Sequence, residues 1–213
     1  LKKNPKTLTV IEKDNKLADF LKIKYSNNNK IKIYNSDILK FDLEKIIESG
    51  SVIFGNLPYN ISSQILVKIL RLKWPPKFED LIFMFQKELG EKIACKFPSK
   101  KYGRLSILSN YRLIIKETFL ISPRCFFPKP KIKSLVIHFK PKDKNEIKIK
   151  NILNLEKITN VLFSNKRKMI NKNIKKLISK KSIDKLNGIN LRARPDNIQP
   201  NIYYKITQLY EKG

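Results

Sequence analysis

The residues best suited to chemistry are Asn56-Leu57-Pro58-Tyr59, which follow the strand-like apolar run Val52–Phe54. A helical pattern comes next, with apolar residues at helical spacing from Ile65 to Leu70. Ligands of open α/β sheets bind at the carboxyl ends of the strands, so a polar and aromatic tetrad at this place is positioned for chemistry. Asn and Pro are also ordinary turn formers, and a proline-shaped connection without a chemical role is the alternative.

Acidic residues stand at the ends of two earlier strand-like runs. Glu12 offers two acceptor oxygens in one plane, which suits the vicinal hydroxyls of a ribose. Asp37 can accept hydrogen bonds from the amino group of a cofactor adenine, while Ile38 packs on the ring. Glu12 could instead be a surface acid, and Asp37 could cap a helix at 41–47. Together with the tetrad, the two acids predict a site at three successive strand ends.

The charge balance favours a polyanionic partner. The chain has 46 Lys and Arg against 18 Asp and Glu, which gives a net charge of +28. Most of the cations are Lys, and the chain is also rich in Ile and Asn, so part of the excess could reflect base composition of the genome. The candidate phosphate contacts are Arg104, Lys129, Lys131, Lys166, Arg167, Lys168 and Arg194. Solvated helix ends and surfaces are the alternative for these cations.

The segment 122–131 has an unusual composition. Phe126 and Phe127 lie between prolines and are followed by Lys129 and Lys131 at alternate positions. Aromatic rings beside a track of cations are typical of a surface that stacks nucleobases and follows phosphates. A rigid proline-rich loop that covers the core is the alternative, and the pattern does not choose between the two rings.

Several classes of protein are disfavoured. Cys95 and Cys125 are too few and too far apart for a disulfide framework or a zinc site, and His138 is the only histidine. We therefore expect no metal and a reducing compartment. No apolar run approaches the ~18 residues of a membrane span, and no signal peptide opens the chain. These features predict a soluble, cytoplasmic protein.

The elements that must position the candidate residues alternate between strand and helix. Strands are predicted at 7–12, 31–34, 52–54, 80–85, 113–121 and 132–139. The last two are joined by a long loop, which indicates an antiparallel hairpin that closes an otherwise parallel sheet. A charged, aperiodic segment after 141 predicts a domain boundary, with an α/β domain at 1–141 and a small all-α domain at 142–213.

Taken together, the motifs resemble the ribosomal RNA adenine dimethyltransferases over nearly the whole chain. The stretches that carry the resemblance are Thr9–Glu12, Asp37-Ile38, Asn56–Ser62, Gln86-Lys87-Glu88, Tyr102–Ser106 and Phe126–Lys131. Leu57 favours the RNA-modifying branch, because related DNA- and protein-modifying enzymes usually carry Pro there. Lys166-Arg167-Lys168 and Leu191–Ile198 are more similar to the housekeeping small-subunit enzymes than to the macrolide-resistance enzymes.

The resemblance implies a Rossmann-like class I methyltransferase sheet and S-adenosylmethionine as cofactor. It implies dimethylation of two adjacent adenines in a small-subunit rRNA hairpin, by a monomer that acts on the 30S particle. Two alternatives remain. One is a large-subunit rRNA methyltransferase of the macrolide-resistance type, and the other is an RNA-binding assembly or transcription factor that keeps the fold without catalysis.

The resemblance also assigns roles to the tetrad. The side-chain carbonyl of Asn56 and the main-chain carbonyl of Leu57 would accept the two hydrogens of the adenine amino group. Tyr59 and Phe126 would stack on the extruded base, and Pro58 would fix the turn.

For the cofactor, Glu12 would bind the ribose, Asp37 and Ile38 the adenine, and Asn56 would also contribute to cofactor binding. The family's Gly-rich loop would precede Leu1, as would a basic N-terminal segment. We therefore expect an N-terminally truncated member of the family.

Overall fold

The computed structural model describes residues 5–186 and 188–213, which belong to two compact units. The first unit ends at Glu48, and the second runs from Ser49 to Gly213. Each unit contains a β-sheet of its own.

The first unit is built from a strand, a helix and a second strand. β1 (Leu8–Glu12) and β2 (Ile31–Asn35) pair in parallel, and α1 (Asn15–Lys24) connects them. Parallel neighbours need a crossover connection of this kind. The helix begins where it does because the carboxylate of Asp14 accepts a hydrogen bond of 2.8 Å from the N–H of Leu17.

The second unit contains a sheet of four strands: β3 (Ser51–Asn56), β4 (Phe78–Gln86), β5 (Leu113–Ile121) and β6 (Ser134–Pro141). Their order is β3-β4-β6-β5. β3 and β4 are parallel, whereas β6 is antiparallel to both β4 and β5. The predicted α/β class and the antiparallel hairpin at one edge of the sheet are confirmed.

Helices cover the sheet and continue to the carboxyl terminus. They are α2 (Ser62–Leu70), α3 (Lys87–Ala94), α4 (Arg104–Arg112), α5 (Ile152–Phe163), α6 (Asn171–Ile174), α7 (Lys180–Asp184) and α8 (Pro200–Tyr210). The strands β4 and β6 are central, and Leu81, Phe83, Phe85, Ile137 and Phe139 are almost completely buried. None of the helices within the described ranges has the length and apolar character needed to cross a membrane.

The helices after β6 pack on the sheet-containing part of the second unit. Arg71, directly after α2, forms a two-pronged ion pair with Glu156 of α5, with N–O distances of 2.8 and 2.6 Å. The ring of Tyr204 in α8 lies 4.9 Å from that of Tyr111 in α4, measured between centroids. Residues on both sides of 141 belong to one compact unit. The structure therefore does not mark the predicted domain boundary at 141, which stays a prediction.

Two predicted helices differ from the structure. The stretch 41–47 forms only a 3₁₀ turn at Leu43–Lys45, which begins where the carboxylate of Asp42 accepts a hydrogen bond of 3.2 Å from the N–H of Glu44. The apolar pattern from Ile170 to Ile178 predicts one helix, but within it only α6 (Asn171–Ile174) is helical, and α7 begins beyond it at Lys180. Here Ser179 accepts a hydrogen bond from the N–H of Ser182 and begins a new helix.

Candidate active site

The tetrad 56–59 lies between the carboxyl end of β3 and the start of α2. Asn56 is the last residue of the strand, and Ser62 is the first residue of the helix. The connection is closed by its own hydrogen bonds. The N–H of Ile61 donates to the carbonyl of Pro58 at 3.2 Å, and the buried hydroxyl of Ser62 donates to the carbonyl of Tyr59 at 3.1 Å. The turn therefore has a defined shape.

Two acceptors of the tetrad have no hydrogen-bond partner among the residues that the structure describes. Within residues 5–186 and 188–213, nothing donates a hydrogen bond to the side chain of Asn56, which is exposed, or to the main-chain carbonyl of Leu57. Two neighbouring carbonyl oxygens of this kind can accept both hydrogens of one amino group.

Gly55, the residue before Asn56, allows the carboxyl end of β3 to lie close to β4. A Cβ atom added to Gly55 would lie 2.5 Å from Cδ2 of Leu57 and 2.8 Å from Cδ1 of Phe83. Both distances are shorter than van der Waals contact. Only glycine therefore lets β3 lie this close to the ring of Phe83 on the neighbouring strand β4. Sequence reasoning did not single out this residue.

Tyr59 is anchored by a residue that sequence reasoning also missed. The hydroxyl groups of Tyr59 and Ser134 lie 2.6 Å apart, and Ser134 is completely buried. Ser134 is the first residue of β6 and pairs with Gln86 at the end of β4. Because β6 is antiparallel to β4, its amino end lies at the same edge of the sheet as the carboxyl ends of β3 and β4. The sequence predicts this strand from 132, but only the strand order shows that its first residue, Ser134, lies beside Tyr59.

The segment before β6 carries the two phenylalanines. Phe126 is half-buried and follows a 3₁₀ turn at Pro123–Cys125, whereas Phe127 is fully exposed. The lysines at 129 and 131 are exposed. The end of this segment is held to the start of α3, because the N–H of Lys87 donates to the carbonyl of Lys133 at 2.9 Å.

The acids Glu12 and Asp37 belong to the first unit. The Oε1 atom of Glu12 accepts a hydrogen bond of 2.8 Å from the N–H of Asp14, while Oε2 has no partner among the described residues. Asp37 accepts hydrogen bonds of 2.9 Å from Nζ of Lys13 and from the N–H of Leu39. The hydrogen bond from Lys13, followed by that from Leu39, lowers the pKa of Asp37. Asp37 is therefore ionised at neutral pH.

Parallel pairing brings these acids to one edge of the two-stranded sheet. Glu12 is opposite Asn35 at the carboxyl ends of β1 and β2, and Asp37 follows two residues later. Ile38, next to Asp37, is half-buried. A carboxylate with an unpartnered oxygen and an ionised acid beside an apolar side chain fit the ribose and adenine ends of a nucleoside.

The candidate phosphate contacts are all on the surface. Arg104 is the first residue of α4, and the cluster 166–168 follows α5. Lys166 pairs with Asp196 at 3.6 Å. Within the part of the chain that the structure describes, these exposed cations form no ion pair: Arg104, Lys129, Lys131, Arg167, Lys168 and Arg194.

A family model described as ribosomal RNA adenine dimethylase matches residues 1–212. The chain belongs to this family. It is therefore a member of a methyltransferase family, and the resemblance of its motifs is confirmed.

The names of curated relatives are consistent with membership of the adenine dimethylase family. The chain is 45% identical to ribosomal RNA small subunit methyltransferase A of Pelagibacter ubique, with 99% of this chain and 80% of the relative aligned. It is 37% identical to the protein of the same name from Malacoplasma penetrans, over 94% of this chain and 72% of the relative.

Solved structures show the dimethylase fold. A dimethyladenosine transferase from Plasmodium falciparum matches 97% of this chain and 82% of its own, with a TM-score of 0.78 and 22% identity. The 23S rRNA methyltransferase ErmE matches with a TM-score of 0.65 and 19% identity, over 96% of this chain and 82% of its own. The Rossmann-like methyltransferase class is thereby confirmed.

Proposed function

We propose that this protein dimethylates the amino groups of two adjacent adenines in a hairpin of small-subunit rRNA, with S-adenosylmethionine as methyl donor. Membership of the adenine dimethylase family and the two relatives named as small-subunit methyltransferases support the proposal. The observation that carries it is the pair of unpartnered acceptors, Asn56 and the Leu57 carbonyl, next to an anchored tyrosine.

An adenine amino group is a poor nucleophile because its lone pair is delocalised into the ring. When Oδ1 of Asn56 and the carbonyl of Leu57 accept its two hydrogens, the nitrogen moves toward tetrahedral geometry and its lone pair becomes available. S-adenosylmethionine, when bound, would supply an electrophilic methyl group: the lone pair would form the new N–C bond as the C–S bond breaks, and the sulfur would keep that electron pair in S-adenosylhomocysteine. The amino group then loses a proton to water, so the chain needs no strong base.

The base must leave the RNA stack to reach these acceptors. Tyr59 and Phe126 would hold its two faces, and stacking contributes about 1 to 3 kcal/mol per base. Pro58 restricts the turn that presents both carbonyls. Phe127 is fully exposed, so Phe126, which is half-buried, is the better-supported stacking ring.

Residues of the first unit would hold the cofactor. Oε2 of Glu12, which no described residue contacts by a hydrogen bond, is available for ribose hydroxyls. Asp37 keeps acceptor lone pairs beyond those used by Lys13 and Leu39, and Ile38 offers an apolar contact for the adenine ring.

The exposed cations would bind the RNA backbone. They comprise Arg104, Lys129, Lys131, the cluster 166–168 and Arg194. Their positions on the surface allow contact with phosphates, which supplies affinity without sequence specificity.

The test uses unmethylated 30S particles and labelled S-adenosylmethionine. Wild-type protein should form dimethyladenosine in the small-subunit rRNA, and Asn56→Ala should lose at least about 100-fold in rate while its affinity for the particles stays near wild type. Asn27→Ala, which also removes an exposed asparagine, should be fully active. Absence of dimethyladenosine with wild-type protein contradicts the proposal, and label in large-subunit RNA instead would identify the other branch.

A further inference from the structure

A groove lies at the far end of the four-stranded sheet from the tetrad. It has a volume of ≈ 590 Å³ and is bordered by the segment after α3, the end of α4, the residue after β6 and the first turn of α8. β6 starts at Ser134 beside Tyr59 and ends at Pro141, and Lys142 of the groove follows directly. At roughly 3.3 Å per residue, the strand separates the groove from Ser134 by about 25 Å. The groove is therefore distinct from the candidate active site.

Two aromatic rings in the groove are held in place by neighbours. The ring of Phe97 packs edge-to-face on Tyr102, with centroids 5.3 Å apart. The ring of Tyr204 packs on Tyr111, and its hydroxyl donates to the carbonyl of Ile107 at 3.1 Å. Rings that are already fixed lose little conformational entropy when a planar ligand stacks on them.

The other residues that line the groove are three with side-chain amides, two lysines and two prolines. Asn201 offers an amide group, which suits the edges of nucleobases, whereas Nδ2 of Asn110 already donates to the carbonyl of Cys95 at 3.3 Å. Lys96 is exposed and without an ion-pair partner in the described part of the chain. Lys142 donates a hydrogen bond to the carbonyl of Asn110, and burial lowers its pKa.

No Asp or Glu is found among the described residues that line the groove. Lys96 and Lys142 thus line the groove without a carboxylate among its described lining residues, in a chain of net charge +28. An anionic group in the groove would relieve this imbalance.

We propose that the groove binds one unpaired nucleotide of the RNA partner. Its base lies against the rings of Phe97 and Tyr204, and its phosphate contacts Lys96 and Lys142. Aromatic rings, amides and lysines in one concave site match the way proteins hold single-stranded nucleotides. The inference rests on the proposed function to the extent that the partner is small-subunit rRNA. It adds a second point of RNA recognition, remote from the methylated bases.

The test compares two double variants in binding to unmethylated 30S particles across a range of salt concentrations. Lys96→Gln with Asn201→Ala changes two exposed groove residues, and Lys116→Gln with Asn27→Ala makes the same chemical changes elsewhere on the exposed surface. The groove variant should bind about tenfold more weakly, with a salt dependence lower by about one phosphate contact. Its dimethylation rate at saturating particles should stay within about twofold of wild type, and the control should match wild type in both respects.

Phe97→Leu tests the stacking separately. Leucine keeps an apolar contact with Tyr102 but removes the flat face, so affinity should fall at least about fivefold with no change in salt dependence. The melting temperature is measured alongside. If Phe97→Leu unfolds, the binding of the double variant Lys96→Gln with Asn201→Ala is the only test of the inference.

Three results overturn the inference: unchanged affinity in the groove variant, an equal loss in the control, or a slower rate at saturation with normal affinity. The last would place these residues in catalysis. Wild-type protein that binds the particles but transfers no methyl group contradicts the proposed function and leaves the binding comparison valid. Wild-type protein that does not bind them contradicts both.

Discussion

At the scale of single residues, the hydrogen bond between Tyr59 and Ser134 is the clearest positioning contact of the candidate site. It fixes the ring that would face the target base, at a distance of 2.6 Å between hydroxyls. Tyr59→Phe and Ser134→Ala each remove this bond and keep the ring. We expect each variant to transfer methyl groups about five- to tenfold more slowly, because one hydrogen bond of this kind contributes about 1 kcal/mol. The measurement is the rate at saturating cofactor and 30S particles.

The double variant separates positioning from general destabilisation. If the two hydroxyls act only through each other, Tyr59→Phe with Ser134→Ala is no slower than either single variant. Ser109→Ala is the matched control, because it also deletes a buried serine hydroxyl, and that hydroxyl has no partner within the described residues. Additive losses in the double variant would contradict the positioning role.

A second prediction concerns the ionisation of Asp37. Lys13 donates to Asp37 at 2.9 Å and helps to lower the pKa of that carboxyl from its ordinary value. The carboxylate form is therefore favoured in the folded protein, and its contribution to stability is lost only as the pH falls through this lowered pKa. Lys13→Gln should move the pKa of Asp37 upward, toward its ordinary value.

Carbon NMR of the side-chain carboxyl group measures the titration directly. Lys16→Gln, another exposed lysine in the same part of the chain, should leave the titration of Asp37 unchanged. An identical midpoint in wild type and Lys13→Gln would show that Lys13 does not hold this carboxylate in solution.

At the scale of elements, the close approach of β3 to β4 decides where the tetrad lies. Gly55→Ala places a methyl group within 3 Å of the ring of Phe83, which is buried and cannot move freely. Overpacking of this kind costs about 1 to 3 kcal/mol of unfolding free energy. We expect slower methyl transfer as well, because the strand must shift at its carboxyl end.

Gly103→Ala is the control for this variant. A Cβ at Gly103 meets no atom within 4 Å, and its φ of −178° is open to any residue. Chemical denaturation gives the free energy of unfolding for both variants. Equal stabilities of Gly55→Ala and wild type would contradict a tight contact between the strands.

Elements whose bounds are set by residues nearby in the sequence could be predicted, whereas features that depend on distant residues could not. The bounds of β5, 113–121, match the prediction because its apolar run ends at the Ser122-Pro123 turn. The role of Ser134 could not be predicted, because it depends on the strand order β3-β4-β6-β5, which nothing near Ser134 encodes. The start of α5 also depends on a residue that is distant in the sequence. The carboxylate of Glu211 accepts hydrogen bonds from the N–H groups of Lys150 and Asn151, about 60 residues earlier in the chain.

At the scale of the whole molecule, the open question is whether the charge of +28 acts as a general field or through defined contacts. The sequence alone does not separate these, since Lys enrichment from base composition and Lys selected for RNA look alike. The structure adds a distinction. Lys166 forms an ion pair with Asp196, with 3.6 Å between Nζ and Oδ2. Arg167 and Lys168 are exposed and form no ion pair within the described residues.

Arg167→Gln with Lys168→Gln therefore tests a local site against a general field. Lys180→Gln with Lys181→Gln removes the same charge from equally exposed positions on α7. If the turn after α5 contacts phosphates, the first pair should weaken binding to 30S particles by about tenfold and lower the slope of log K against log salt by about two contacts. The second pair should have a much smaller effect. Equal losses for both pairs would mean that affinity follows net charge alone, because a screened field does not distinguish two exposed clusters of the same size.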